Sequence, residues 1–226
     1  MSKLIFRLVM AVTAIIFVAA ANAENAQASV IISQVLYNPA NSESGGEAVE
    51  LYNPEATSAN ISNWVIATET SPTDAIIPQG TAICIGCYYL IADANWSNAK
   101  DNADWPNADL EEAMTLANTD AGVALKDSNG TVIDAVGWGN SANIGNGLFE
   151  GTPHEGAAEG LSMQRKYANG SYIDAGNNSN DFFTANPNFR NSSSSTAALT
   201  KGEIRITALI TANTPNIHSF VILTDD

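Results

Sequence analysis

Positive charge is scarce in this chain. Nine Lys and Arg stand against 24 Asp and Glu among 226 residues, for a formal charge of −15. A surface so acidic repels a phosphate backbone, which excludes DNA and RNA as partners. Histidine is scarcer still: His154 and His218 are the two. No His-Glu-x-x-His, Gly-x-Ser-x-Gly or phosphate-binding loop occurs, so the commonest hydrolase and nucleotide-binding motifs are absent. His154 and Glu155 fall in the glycine-rich stretch GTPHEGAAEG, which reads as an exposed loop. With no nucleophile or base nominated, no catalytic residue is assigned and the chain reads as a non-enzyme. A sustained heptad repeat is also missing, which excludes a coiled-coil rod.

Cysteine is limited to Cys84 and Cys87. Two thiols with two remote histidines do not supply the four ligands of a structural zinc site. A thioredoxin-type pair belongs at a helix N-terminus, whereas the residues after Cys87 are the strand-like Tyr88-Tyr89-Leu90-Ile91. A local Cys84–Cys87 disulfide is the expectation for an exported chain, with free thiols as the alternative.

Long apolar runs are confined to the N-terminus. Lys3 and Arg7 precede the run Leu8 to Ala21, and the small-residue sites Ala21-Asn22-Ala23 and Ala26-Gln27-Ala28 follow it. That order is the layout of a secretory signal peptide, assigned to residues 1–28. The run falls short of the roughly 20 apolar residues that span a bilayer. No membrane span is expected after cleavage, and the location is secreted or cell surface.

Beyond residue 28 the chain breaks into short segments rich in Val, Ile and Tyr: Val30 to Tyr37, Ala48 to Tyr52, Ile61 to Ala67, Thr81 to Ala92, Gly122 to Lys126, Thr131 to Trp138 and Leu161 to Lys166. Asn, Gly, Pro and Ser punctuate them, the rhythm of an all-β sandwich. In VALKDSNGTVIDAV the pair Asn129-Gly130 suits the positive φ angles of a tight hairpin turn. Ala108 to Ala117 is polar, with Glu111 and Glu112 near its start, and reads as a loop or a single helical turn.

The stretch SGGEAVELYNP, residues 44–54, poses a chemical question because Glu47 and Glu50 are three residues apart. On a helix both carboxylates would share a face; on a strand they part. Gly45-Gly46 and Asn53-Pro54 bound a core rich in Val, Leu and Tyr, so a strand is expected. Val49 and Leu51 then face one way with Glu47 at the rim, and Glu50 faces the other with Tyr52. The two-acid arrangement of a glycosidase is not supported.

IISQVLYNPANSESGGEAVELYNPEATSANISNWVI, followed by IIPQGTAICIGCYYLIAD, GVALKDSNGTVIDAVGWG, GLSMQRK and DAGNNSNDFFTANPNFRN, resembles a lamin tail domain of the secreted prokaryotic kind. The resemblance covers about residues 29–191. It implies an immunoglobulin-like β-sandwich with Trp64 as a buried core aromatic and loops free for binding, in a family that serves as an interaction or anchoring module. The partners so implied are a cell-envelope or extracellular protein or glycan. The alternative is an accessory domain of an exported hydrolase or nuclease whose catalytic part is absent from this chain.

Asp174, Asn177, Asn180 and Asp181 share one loop in DAGNNSND, and hard Ca²⁺ takes six to eight such oxygen ligands. A Ca²⁺ site and a turn in which these side chains cap the backbone are both open. No other cofactor is indicated. After the sandwich come a Ser-rich linker, residues 192–200, and a β-hairpin or the start of a further domain, residues 201–226, with strands over Glu203 to Thr211 and Ser219 to Thr224 around Asn213-Thr214-Pro215-Asn216.

The leader pattern sets a first test. N-terminal mass spectrometry of the native protein should find Glu24 or Ser29 at the start, and an intact Met1 would contradict it.

Overall fold

The computed structural model describes residues 29–194. The signal peptide, most of the Ser-rich linker and the C-terminal hairpin anticipated from the sequence lie outside the described residues. In chain order the elements are β1 (Ile31–Leu36), β2 (Ala48–Tyr52), β3 (Ala59–Asn60), β4 (Val65–Thr68), β5 (Ala75–Ile76), β6 (Ala82–Ile83), β7 (Tyr88–Asp93) and α1 (Trp96–Ala99). They continue with β8 (Leu110–Glu112), β9 (Ala121–Lys126), β10 (Val132–Trp138), β11 (Ser162–Arg165), β12 (Tyr167–Ala168), β13 (Ser171–Tyr172), α2 (Asn178–Asp181) and β14 (Phe182–Ala185).

Among the described residues the strands form a six-stranded sheet in the order β14-β11-β1-β2-β7-β8 and a four-stranded sheet in the order β10-β9-β4-β5. Two short ribbons, β3-β6 and β12-β13, flank them. The result is an all-β, immunoglobulin-like sandwich. Alternation along β2 puts Val49 and Leu51 in the central core and Ala48 on the opposite side, against Leu36 and Trp96. In β1 the period of two is interrupted. A bulge between Ile32 and Gln34 lets Ile32 and Val35, three residues apart, both enter the core.

Four local expectations are corrected. Leu110–Glu112, anticipated within a loop or helical turn, is strand β8 and pairs in parallel with β7, Ile91 opposite Leu110; pairing with so remote a segment leaves no trace in local periodicity. Trp64 is half-buried against the core, and the fully buried indoles are Trp96 and Trp138. Trp138 is covered by Tyr37, its ring stacked at 4.2 Å. The β9–β10 turn takes positive φ at Gly130 alone, 84°, because Asp127 closes a wider connection: its Oδ1 accepts from the N–H groups of Asn129 and Thr131. His154 is buried rather than exposed. Its backbone N–H donates to Gly137 O at 2.9 Å and its carbonyl accepts from Gly139 N–H at 2.8 Å, extending the sheet at β10.

The first residues beyond the expected domain end are also ordered. Ser192–Ser194 form a 3-10 turn, tied down where Ser192 N–H donates to Asp109 Oδ2 at 2.9 Å.

Candidate functional site

The two glutamates around β2 diverge as alternation requires, and both are buried. Glu47 lies on the core side of the sheet, 3% exposed, where its Oε2 accepts from Leu116 N–H at 2.9 Å. Burial, helped by the negative charges of Asp93, Glu43 and Asp74, pushes its carboxyl up to about 8. Glu50 lies on the outer face of the six-stranded sheet and is fully buried there. Its Oε1 accepts from Ser33 Oγ at 2.7 Å and from Arg190 Nη2 at 2.8 Å, and its Oε2 accepts from Arg190 N–H at 2.6 Å.

Arg190 carries this charge to a set of tyrosines. Its Nη1 donates to Tyr88 Oη at 2.5 Å and its Nη2 to Tyr172 Oη at 2.9 Å, while the guanidinium lies 3.8 Å over the Tyr88 ring. Tyr52 packs on Tyr88 at 4.9 Å and on Tyr172 at 4.8 Å, and Tyr167 meets Tyr172 edge-on at 5.1 Å. Burial, then the hydrogen bond shared with Tyr172, raises the Tyr88 phenol above its ordinary value, so it stays neutral and can act as a donor. These rings line a groove of about 620 Å³ with Gln34, Gln164, Phe183 and Asn188. Tyr167 is 59% and Phe183 41% exposed, so the groove offers free aromatic surface above a floor fixed by an ion pair. Gln34 Oε1 accepts from Asn188 N–H, and its buried Nε2 has no partner.

At one end of the groove Gly86 sits in the turn closed by the Cys84–Cys87 disulfide, whose Cα atoms are 5.1 Å apart. Asn53 locks this turn in place. Its Nδ2 donates to the carbonyls of Ile83 and Cys84, and its own carbonyl accepts from Gly86 N–H.

A second polar cluster forms where β10 meets β11. Arg165, fully buried, bonds Asp134 Oδ2 at 2.6 Å and Asp174 Oδ1 at 3.1 Å. Ile32 N–H also donates to Asp134 Oδ2, at 2.6 Å. Glu150 lies beside them. Burial together with the charges of Asp134 and Asp174 pushes it up to about 7, and burial against the pull of Arg165 holds Asp134 at about 6.

Of the loop quartet singled out in the sequence, Asp174 alone joins this cluster. Asn177 Oδ1 caps α2 by accepting from Asn180 N–H. Asp181 Oδ2 accepts from the N–H groups of Ala175 and Asn177. The Asn180 side chain lies at the surface.

Neither Arg190 nor the tyrosine set was singled out in the sequence. The available signal was composition: Arg165 and Arg190 are two of four arginines in an acid-rich chain.

With this architecture in view, comparison with known proteins assigns the chain. The lamin tail domain family matches residues 23–140, over half the sequence, and the chain belongs to that family of immunoglobulin-like, non-catalytic domains. No curated protein matches it. The matched segment supplies Gln34, Tyr52 and Tyr88 to the groove, while Tyr167, Tyr172 and Arg190 come from the chain after it.

Two predictions test the buried acids. Arg190→Met should cost about 3–5 kcal/mol in urea unfolding, because Glu50 keeps a buried charge without its partner; the double variant with Glu50→Gln should recover at least half of that loss. Glu47 gives a pH test with a definite sign. Its carboxyl holds a proton more tightly folded, to about 8, than unfolded, near 4.3, so the folded state binds more protons between those values and stability falls as pH rises through them. Glu47→Gln should remove that slope, so that Tm of the variant minus Tm of the parent increases from pH 5 to pH 8.

Proposed function

We propose that this domain is a non-catalytic binding module of the cell surface or extracellular space, and that its binding face is the tyrosine groove over the outer side of the six-stranded sheet. The observation that carries the reading is the combination of held and free rings. Tyr88 and Tyr172 are fixed by Arg190, while Tyr167 and Phe183 stand exposed beside them. Rigid, amphipathic rings give contact area at low conformational cost.

The chemistry of the walls favours a glycan over an apolar peptide. A sugar ring presents a C–H face to an aromatic surface and hydroxyls to its surroundings, and the groove supplies rings together with the half-buried Gln164 and the exposed Asn188 amide. The leader-like N-terminus and the Cys84–Cys87 disulfide support an extracellular setting. No helix among the described residues is long and apolar enough to cross a membrane.

The test is calorimetric titration of the full chain with soluble polysaccharide from the native cell envelope. Tyr167→Ala combined with Phe183→Ala, both at exposed positions, should weaken binding by at least about tenfold, or 1.4 kcal/mol, with Tm nearly unchanged. Equal binding by the variant, or no binding by the parent chain, would refute the groove as a glycan site.

A further inference from the structure

The corner between β10 and β11 holds more negative charge than its arginine can balance. Asp134, Glu150 and Asp174 each present an oxygen, and these oxygens all lie within 4.8 Å of one another. Arg165 is the cation bonded to the group, and its bonds are to Asp134 Oδ2 and Asp174 Oδ1.

Two oxygens of the cluster lack hydrogen-bond partners. Asp134 is 1% exposed, its Oδ2 is committed to Arg165 and to Ile32 N–H, and its Oδ1 is buried without any hydrogen-bond partner. Glu150 Oε2 is likewise buried and unpartnered. An orphaned carboxylate oxygen in a protein interior is costly, and here two of them belong to one cluster.

We propose that Asp134, Glu150 and Asp174 bind a hard divalent cation, with Ca²⁺ the best fit. All donors are oxygen, which selects against the thiolate- and imidazole-seeking metals. Two oxygens on opposite sides of Ca²⁺, each at about 2.4 Å, stand about 4.8 Å apart, so the group spans no more than one such ion. Asp174 is partly exposed, 38% of its side chain, which gives the ion a way in and lets water complete the coordination. The cation would tie β10, the segment around Glu150 and the loop before α2 together, adding to the bonds that Arg165 makes to Asp134 and Asp174 and that Asn178 makes to Ala135, Gly137 and Glu150. This site differs from the quartet suggested by the sequence, with which it shares only Asp174.

Thermal unfolding of the full chain after chelator treatment tests it, with CaCl₂ compared against NaCl of equal ionic strength and direct titration of Ca²⁺ alongside. Ca²⁺ should raise Tm saturably by about 3 °C, with binding in the range of about 10⁻⁴ to 10⁻³ M seen for extracellular modules. Glu150→Gln, which keeps the side chain's shape, should abolish both the binding and the shift. Asn180→Ala, which alters the loop quartet alone, should leave both intact. Absence of binding at 10 mM Ca²⁺, retention of the shift by Glu150→Gln, or its loss in Asn180→Ala would each overturn the site.

Discussion

Arg165 joins the two sheets. From β11 in the six-stranded sheet its Nε donates to Ile32 O on β1, at 2.9 Å, and its Nη2 reaches Asp134 on β10 of the four-stranded sheet. Asp134 in turn accepts from Ile32 N–H, so three strands from two layers meet on one ion pair. Its guanidinium also lies 4.6 Å over the Phe182 ring of β14. A buried pair of this kind adds little net stability over an apolar replacement, but loss of either partner leaves a charge stranded in the interior.

The outer face of the sheet repeats the device with a different outcome. Glu50 is stranded unless Arg190 covers it, and Arg190, arriving from beyond β14, also fixes Tyr88 and Tyr172. One ion pair thereby closes the end of the domain over β2 and sets the floor of the groove. Tyr167 and Tyr172 reach the same place from the ribbon β12-β13. Floor and wall therefore come from segments far apart in the chain, and the domain must be folded through Arg190 before the groove exists.

The groove and the acidic corner both draw on the end of β11. Gln164 lines the first, and Arg165, which also borders the groove, anchors the second. The segment from Tyr167 to Asp174 ends with Tyr172 in the groove and Asp174 in the corner. A cation held at Asp174 would accordingly stiffen the segment that carries one wall of the groove, which links the two proposed properties physically.

The sequence by itself determined what is local. Val, Ile and Tyr runs between turn residues specified most strands, the Gly45-Gly46 and Asn53-Pro54 boundaries made EAVELY a strand, and its period of two parted Glu47 from Glu50. The acidic composition, the spacing of Cys84 and Cys87 and the order of motifs that marks the family were legible for the same reason, since each is written in neighbouring residues. Tertiary structure alone decided what those residues meet. Leu110–Glu112 became a strand through parallel pairing with β7, and Trp138, rather than Trp64, was sealed into the core under Tyr37. Glu50 was buried against an arginine 140 positions away, and Asp174 was drawn from its own loop to Asp134 and Glu150. Local propensity has no term for a partner that loop closure brings from a distant part of the chain, so the pairings that build the groove and the acidic corner exist only once the two sheets are packed.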